Sequence, residues 1–142
     1  MNFASLTAED FRGRWRLIRR IEDRRAGQGA TMEGEARFMG QAPDLAYHEA
    51  GDLRLGTGPV LRAERRYHWH FGEGRVTVRF EDGRAFHAFP LTAEAEGSDH
   101  PCGEDLYRVT YDFRDWPRWR ATWEVAGPRK DYTSISDYAP FG

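Results

Sequence analysis

The densest run of distinct chemistries is Gly127-Pro128-Arg129-Lys130-Asp131-Tyr132, where two cations, an acid and a phenol follow a Gly-Pro pair. One reading is a turn into a closing strand, with Asp131 in an ion pair. The other places Arg129 or Lys130 at a cavity, holding a carboxylate or phosphate. Lys130 is the only lysine among 21 basic residues. A Schiff-base role for it needs a desolvated setting that lowers its pKa, which sequence does not display.

Arg19 and Glu49 are charged residues on faces that otherwise read as apolar. Trp15, Leu17 and Ile21 alternate with Arg14, Arg16 and Arg20, and parity puts Arg19 with Trp15. Glu49 shares a face with Leu45, Tyr47, Leu53 and Leu55. A lone buried charge is costly, so the two are expected to pair with each other or with tyrosine hydroxyls. The alternative is a polar anchor for a ligand in an apolar pocket.

Two histidine patterns invite a metal or catalytic reading. His68-x-His70 has chelate spacing, but Tyr67, Trp69 and Phe71 take the opposite face, so the imidazoles are expected in solvent and no metal is assigned. His87, His100, Cys102 and Asp105 could compose a Cys-His-Asp set, yet Cys102 lies in a Gly- and Pro-flanked loop without a nucleophile elbow. His100 and Asp105 are expected to fix that loop, and no residue is assigned as catalytic.

The elements that must carry these residues read as strands. Thr7-Ala8-Glu9-Asp10 has the form of a capping box for a helical turn over residues 5–11. Period-two alternation then runs through 14–21, 30–39, 44–55, 61–71, 75–81, 84–90, 106–113, 119–125 and 130–136. Gly51 marks a bulge or tight turn. Asp82-Gly83 reads as a two-residue type I′ hairpin. Residues 91–104 lack apolar periodicity and read as a long loop, a lid or a binding segment.

The expectation is an all-β fold: an antiparallel up-and-down barrel of eight to nine strands with a short N-terminal helix, residues 1–142 forming one domain. A two-sheet sandwich is the alternative. The 21 basic and 23 acidic residues interleave, which argues against nucleic acid or a polybasic membrane anchor as partner. With one cysteine no intramolecular disulfide forms, and without a leader or apolar span a cytoplasmic location is expected.

Phe11-Arg12-Gly13-Arg14-Trp15 resembles the Gly-x-Trp start of lipocalins and other calycins, barrels that hold ligands inside. That resemblance implies an arginine stacked across Trp15 at the closed end, and Arg129 is the best-placed match. A longer pattern includes Tyr47-x-Glu49-x-Gly51, Arg66-Tyr67-x-Trp69, Phe80-x-Asp82-Gly83-Arg84-x-Phe86-His87 and Trp123-x-Val125-x-Gly127-Pro128-Arg129-Lys130-Asp131-Tyr132. It is similar to an uncharacterised bacterial family of unknown function, sometimes described as lipocalin-like. The resemblance implies the fold and brings no known activity.

The leading functional expectation is a non-enzymatic binder of a small, amphipathic, anionic molecule inside the barrel, with no cofactor. Its aromatic lining is Trp15, Tyr47, Tyr67, Trp69, Tyr107 and Trp123, and its polar anchors are Arg19, Glu49, His87, Arg129 and Lys130. One alternative is an enzyme on a similar ligand, using His87, Glu49 or Lys130 as acid or base. The other is an interaction module with a packed barrel and an arginine-rich outer face, with a homodimer as one form.

Overall fold

The computed structural model describes residues 6–141. Thr7 opens a single helical turn, α1 (Ala8–Phe11). The Asp10 carboxylate accepts from the Thr7 backbone N–H (2.7 Å) and from the Thr7 hydroxyl (3.2 Å). This is the expected capping box, the Thr7 side chain meeting the Asp10 N–H while the Asp10 carboxylate reaches back to the Thr7 N–H. Ser5, in the expected helical turn, lies outside the described residues.

Eleven antiparallel strands follow: β1 (Gly13–Asp23), β2 (Gln28–Gln41), β3 (Asp44–Leu55), β4 (Val60–Gly72), β5 (Arg75–Phe80), β6 (Ala85–Pro90), β7 (Glu94–Glu96), β8 (His100–Cys102), β9 (Asp105–Asp112), β10 (Trp119–Ala126) and β11 (Asp131–Pro140). Their order is β6-β5-β4-β3-β2-β1-β11-β10-β9-β7, with β8 also on β9. The sheet curls into a nearly closed barrel. Its seam is held by Ser98, whose N–H donates to the Ala88 carbonyl (2.8 Å) while its hydroxyl accepts from the Ala88 N–H (3.0 Å).

The expected eight to nine strands are too few because the 91–104 stretch is not a free loop. It supplies β7 and β8, each three residues long and too short for alternation to register. The last strand also runs past 136 to Pro140, its inward face carrying Ser134, Ser136 and Tyr138.

Two turn readings change. The type I′ geometry sits at Glu73–Gly74, where both φ are positive (56° and 71°). At Asp82-Gly83 only Gly83 has positive φ (90°), and the Gly83 N–H donates to the Phe80 carbonyl while Phe80 N–H donates to Arg84. That is a type I turn followed by a glycine bulge. Gly51 is likewise no bulge: it stays in register opposite Gly34. A Cβ at Gly34 would stand 2.1 Å from the Ala50 carbonyl oxygen, so close backbone approach accounts for the pair.

One end of the barrel is shut by α1. Phe11, fully buried, meets Phe71, Phe113 and Trp119 at ring-centroid distances of 5.6 Å and Trp116 at 4.9 Å. Trp15 donates its indole N–H to the Phe11 carbonyl (2.8 Å), tying β1 to the plug. The expected Arg129 stack on Trp15 is absent. Register sets Trp15 beside Pro140 and Asp23 beside Tyr132, so Arg129 lies at the other end of the barrel, roughly 25 Å away at about 3.3 Å per residue. Trp116 and Trp119 pack against Trp15 in its place, at 5.4 and 5.9 Å.

Candidate functional site

The interior is organised by one buried ion pair. Arg19 on β1 and Glu49 on β3 point inward across β2 and meet in a two-pronged contact, Nη1–Oε2 at 2.5 Å and Nη2–Oε1 at 2.8 Å. Arg19 Nε donates to Ser136 Oγ (2.7 Å). The Tyr47 hydroxyl donates to Glu49 Oε1 (2.7 Å), which spends its only proton. Tyr138, 2.8 Å away, therefore donates to Tyr47. Burial alone would raise the Glu49 carboxyl, but the Arg19 guanidinium and the Tyr47 hydroxyl outweigh it and hold it below the usual range. Arg19 loses charge stability to burial and regains more from Glu49, so it stays protonated.

Above this pair the barrel is filled with rings. The central cavity is lined by Tyr67, Trp69, Phe86, His87, Tyr111 and Trp123 over the charged floor. The cavity measures about 340 Å³ with its open end included, most of it crevice between rings, and its interior has room for about one water. The barrel interior, where the ligand was expected, is largely filled by aromatic side chains.

His87 is buried beside the cavity, its Nε2 2.8 Å from the Tyr111 hydroxyl. Its Nδ1 has no hydrogen-bond partner among the described residues. Burial, then the charge of His100, pushes its pKa down to about 3, so the ring is neutral. The unfolded chain takes up this proton near pH 6.5 and the folded chain only near 3, so acid favours unfolding across that interval. Wild type is expected to lose about 1.4 kcal/mol per pH unit from this group between those limits. Urea unfolding across that range checks it against His87→Gln: equal slopes in the two proteins refute a neutral buried ring.

The mouth lies at the end opposite α1. Tyr107 on β9 and Trp123 on β10 pack 6.2 Å apart at its edge, both half-buried. Lys130 Nζ donates to the Tyr107 hydroxyl (2.9 Å), lies 5.5 Å from that ring's centroid and stands 3.7 Å from Asp105. The Tyr107 contact, with Asp105 adding to it, raises its pKa. That is opposite to what a Schiff-base lysine needs, so the nucleophile reading falls. On the facing wall the Arg65 guanidinium lies 5.4 Å from the Trp123 ring. Arg65 makes no ion pair within 4 Å among the described residues.

Of the ten expected site residues, Arg19, Tyr47, Glu49, Tyr67, Trp69, His87 and Trp123 line the cavity. Tyr107 and Lys130 stand at its mouth, and Arg129 is exposed on the adjoining turn. His87, Glu49 and Lys130 each bond to a different partner and none to another of the three. Asp131 pairs with Arg24 (2.9 Å). His68 and His70 face outward, His70 against Asp44 (2.6 Å). No cluster of three or more His, Cys, Asp or Glu side chains that could hold a metal occurs among the described residues. Sequence reading missed Arg65, although parity with Tyr67 and Trp69 places it inward, and Tyr138, which lies beyond the expected end of the last strand.

Fold and site together define a one-ended antiparallel barrel: plugged by a helical turn, ionic at its floor, aromatic and cationic at its mouth. A family model described as a family of unknown function, DUF6314, matches residues 11–140, and the chain belongs to that family. No curated protein matches the chain significantly. Among solved structures, the S-type phycobiliprotein lyase CPES from Guillardia theta is similar at 9% identity and a TM-score of 0.66, over 98% of this chain and 95% of that one. A protein of unknown function from the DUF3598 family of Nostoc punctiforme is similar at 9% identity and a TM-score of 0.59, over 94% of this chain and 48% of that one. At such identity the likeness is one of fold.

Proposed function

We propose that the mouth binds a small, flat, amphipathic anion, and that the protein acts as a binder in the manner of a lipocalin-like barrel. The observation that carries this is the grouping of two cations with two rings at the mouth, Arg65 lying 5.4 Å from the Trp123 ring centroid and Lys130 Nζ held at the Tyr107 hydroxyl at 2.9 Å. A planar ligand stacks on the rings while its charge meets the two cations. The Arg19–Glu49 pair is already neutralised and serves as the floor. A solved barrel of similar fold is a phycobiliprotein lyase, which supports a functional role for such a barrel without bringing its chemistry here.

The probe is 8-anilinonaphthalene-1-sulfonate, titrated by its own fluorescence and by tryptophan quenching. One-to-one saturable binding is expected, weakened at least tenfold in the double variant Arg65→Ala/Lys130→Ala and comparably by 0.5 M salt, about 1.4 kcal/mol per tenfold. Affinity unchanged by the double variant, or equal affinity for neutral 2-naphthalenemethanol, refutes the reading.

A further inference from the structure

The mouth has a gap in its wall. Strand β4 is paired with β3 along Val60–His70, but β5 accompanies it only from Tyr67 to Gly72. Residues 60–66 are therefore an edge. The side facing away from β3 can be assigned residue by residue. Phe71 N–H donates to the Pro43 carbonyl (2.8 Å), so odd-numbered residues of β4 bond to β3. The Gly72–Arg75 pair closing the two-residue turn to β5 shows the even-numbered residues bonding the other way. At Val60, Arg62, Glu64 and Arg66 the backbone N–H and C=O thus point to a side where no strand lies among the described residues.

Apolar surface gathers at the same place. Five large apolar side chains are exposed among the described residues, and three of them, Leu55, Val60 and Leu61, are at the tip of the β3–β4 hairpin, at 44–49% exposure. Exposed edges with apolar flanks are templates for strand addition, and charges normally blunt them. Here the charges have a pattern that one partner satisfies.

We propose that residues 60–66 of β4 pair antiparallel with the same segment of a second copy, about a two-fold axis through Ala63. In this register Val60 lies opposite Arg66 of the other copy and Arg62 opposite Glu64, each twice. The even-numbered residues then face one another in hydrogen-bonded pairs, as the free groups require. The neighbouring even registers fail on charge: centring on residue 62 sets Arg62 against itself, and centring on 64 sets Glu64 against itself and Arg62 against Arg66. Odd shifts put bonded against non-bonded positions. Of the registers that pair 60–66 along its whole length without running into the turn before it or the β5-paired residues after it, this one satisfies backbone and charge together, and it is isologous, as a closed dimer demands. Arg62 and Glu64 already hold exposed pairs to Asp52 (3.5 Å) and Arg66 (3.0 Å), so the cross-copy pairs extend existing networks.

Ala63 falls opposite itself in a non-hydrogen-bonded pair, where Cα atoms approach to about 4.5 Å and a disulfide closes without backbone movement. The test uses the full chain carrying Cys102→Ser, so that the introduced thiol is the only one. Under mild oxidation Ala63→Cys is expected to run mostly as a covalent dimer at twice the 16.4 kDa chain mass, while Leu61→Cys and Arg65→Cys, four residues out of register with themselves, do not. By light scattering Glu64→Arg is expected to weaken the dimer at least tenfold, and Arg62→Glu/Glu64→Arg to restore it. Circular dichroism verifies that each variant is folded. A wild type that stays monomeric with Ala63→Cys uncrosslinked overturns the proposal, and so does a dimer indifferent to Glu64→Arg.

Discussion

Replacing Glu49 by Gln is expected to cost about 3–5 kcal/mol, lowering the melting temperature by roughly 10–15 °C. The substitution keeps the shape of the side chain but leaves the Arg19 guanidinium, only 5% exposed, without its anion. Replacing both partners is a different experiment. Arg19→Met/Glu49→Leu removes the desolvation cost along with the attraction, and is expected to fall within about 1–2 kcal/mol of wild type. A double variant no more stable than the single one would mean that the pair itself, rather than the orphaned charge, carries the effect. The acid limb gives a second check. In wild type the Glu49 carboxyl is held below its unfolded value, so its contribution is present above about pH 4.5 and lost as the pH falls further. In Arg19→Met burial, the largest influence on this carboxyl, is opposed only by the Tyr47 hydroxyl and the more distant Arg65 and raises it, so this group then favours the folded state as pH falls. The contribution of Glu49 to the pH slope changes sign, which pH-dependent urea unfolding reads.

Phe11→Ala is expected to cost a similar amount, about 3–5 kcal/mol. Phe11 is the centre of the plug, ringed by Phe71, Phe113, Trp116 and Trp119 within 5.6 Å and touching Phe38 at 5.7 Å. Truncation removes a buried ring that the four-residue helix cannot collapse to replace. It also admits water to several indoles, so tryptophan emission is expected to shift to longer wavelength in the folded protein. An unchanged melting temperature would show that α1 merely rests on a barrel whose core is complete without it.

What sequence disclosed and what it hid follow from the same two-residue period. Trp15, Leu17, Tyr47, Tyr67 and Trp69 were legible as an inner face because alternation runs long and aromatic around them. The same parity singled out Arg19 and Glu49, since a charge on an apolar face must find a partner. The partner's identity and the filling of the interior depend on register between strands and on side-chain volume, which no single strand encodes. Strands β7 and β8 escaped because three residues are too few for alternation to register, and their pairing is with β9. The Arg129 reading failed for a topological reason: a motif near the end of the sequence suggested the Trp15 end of the barrel, whereas β11 runs antiparallel to β1 and starts at the other rim. At the mouth, Arg65 was concealed among other charged residues on β4, and its role follows from the facing position of Trp123.

The Ser98 seam has a kinetic meaning. Every other inter-strand boundary is a ladder, whereas β6 is joined across the closure by two hydrogen bonds to a single residue. Opening at that line exposes few backbone groups and leaves the remaining ladders intact, so it is the low-energy local unfolding event of the molecule. In deuterated solvent the Ser98 and Ala88 amides are the ones that exchange first among those bonded between strands. Because His87 and Phe89 lie along the same line, breathing there is also the route by which the tightly filled interior can admit solvent without global unfolding.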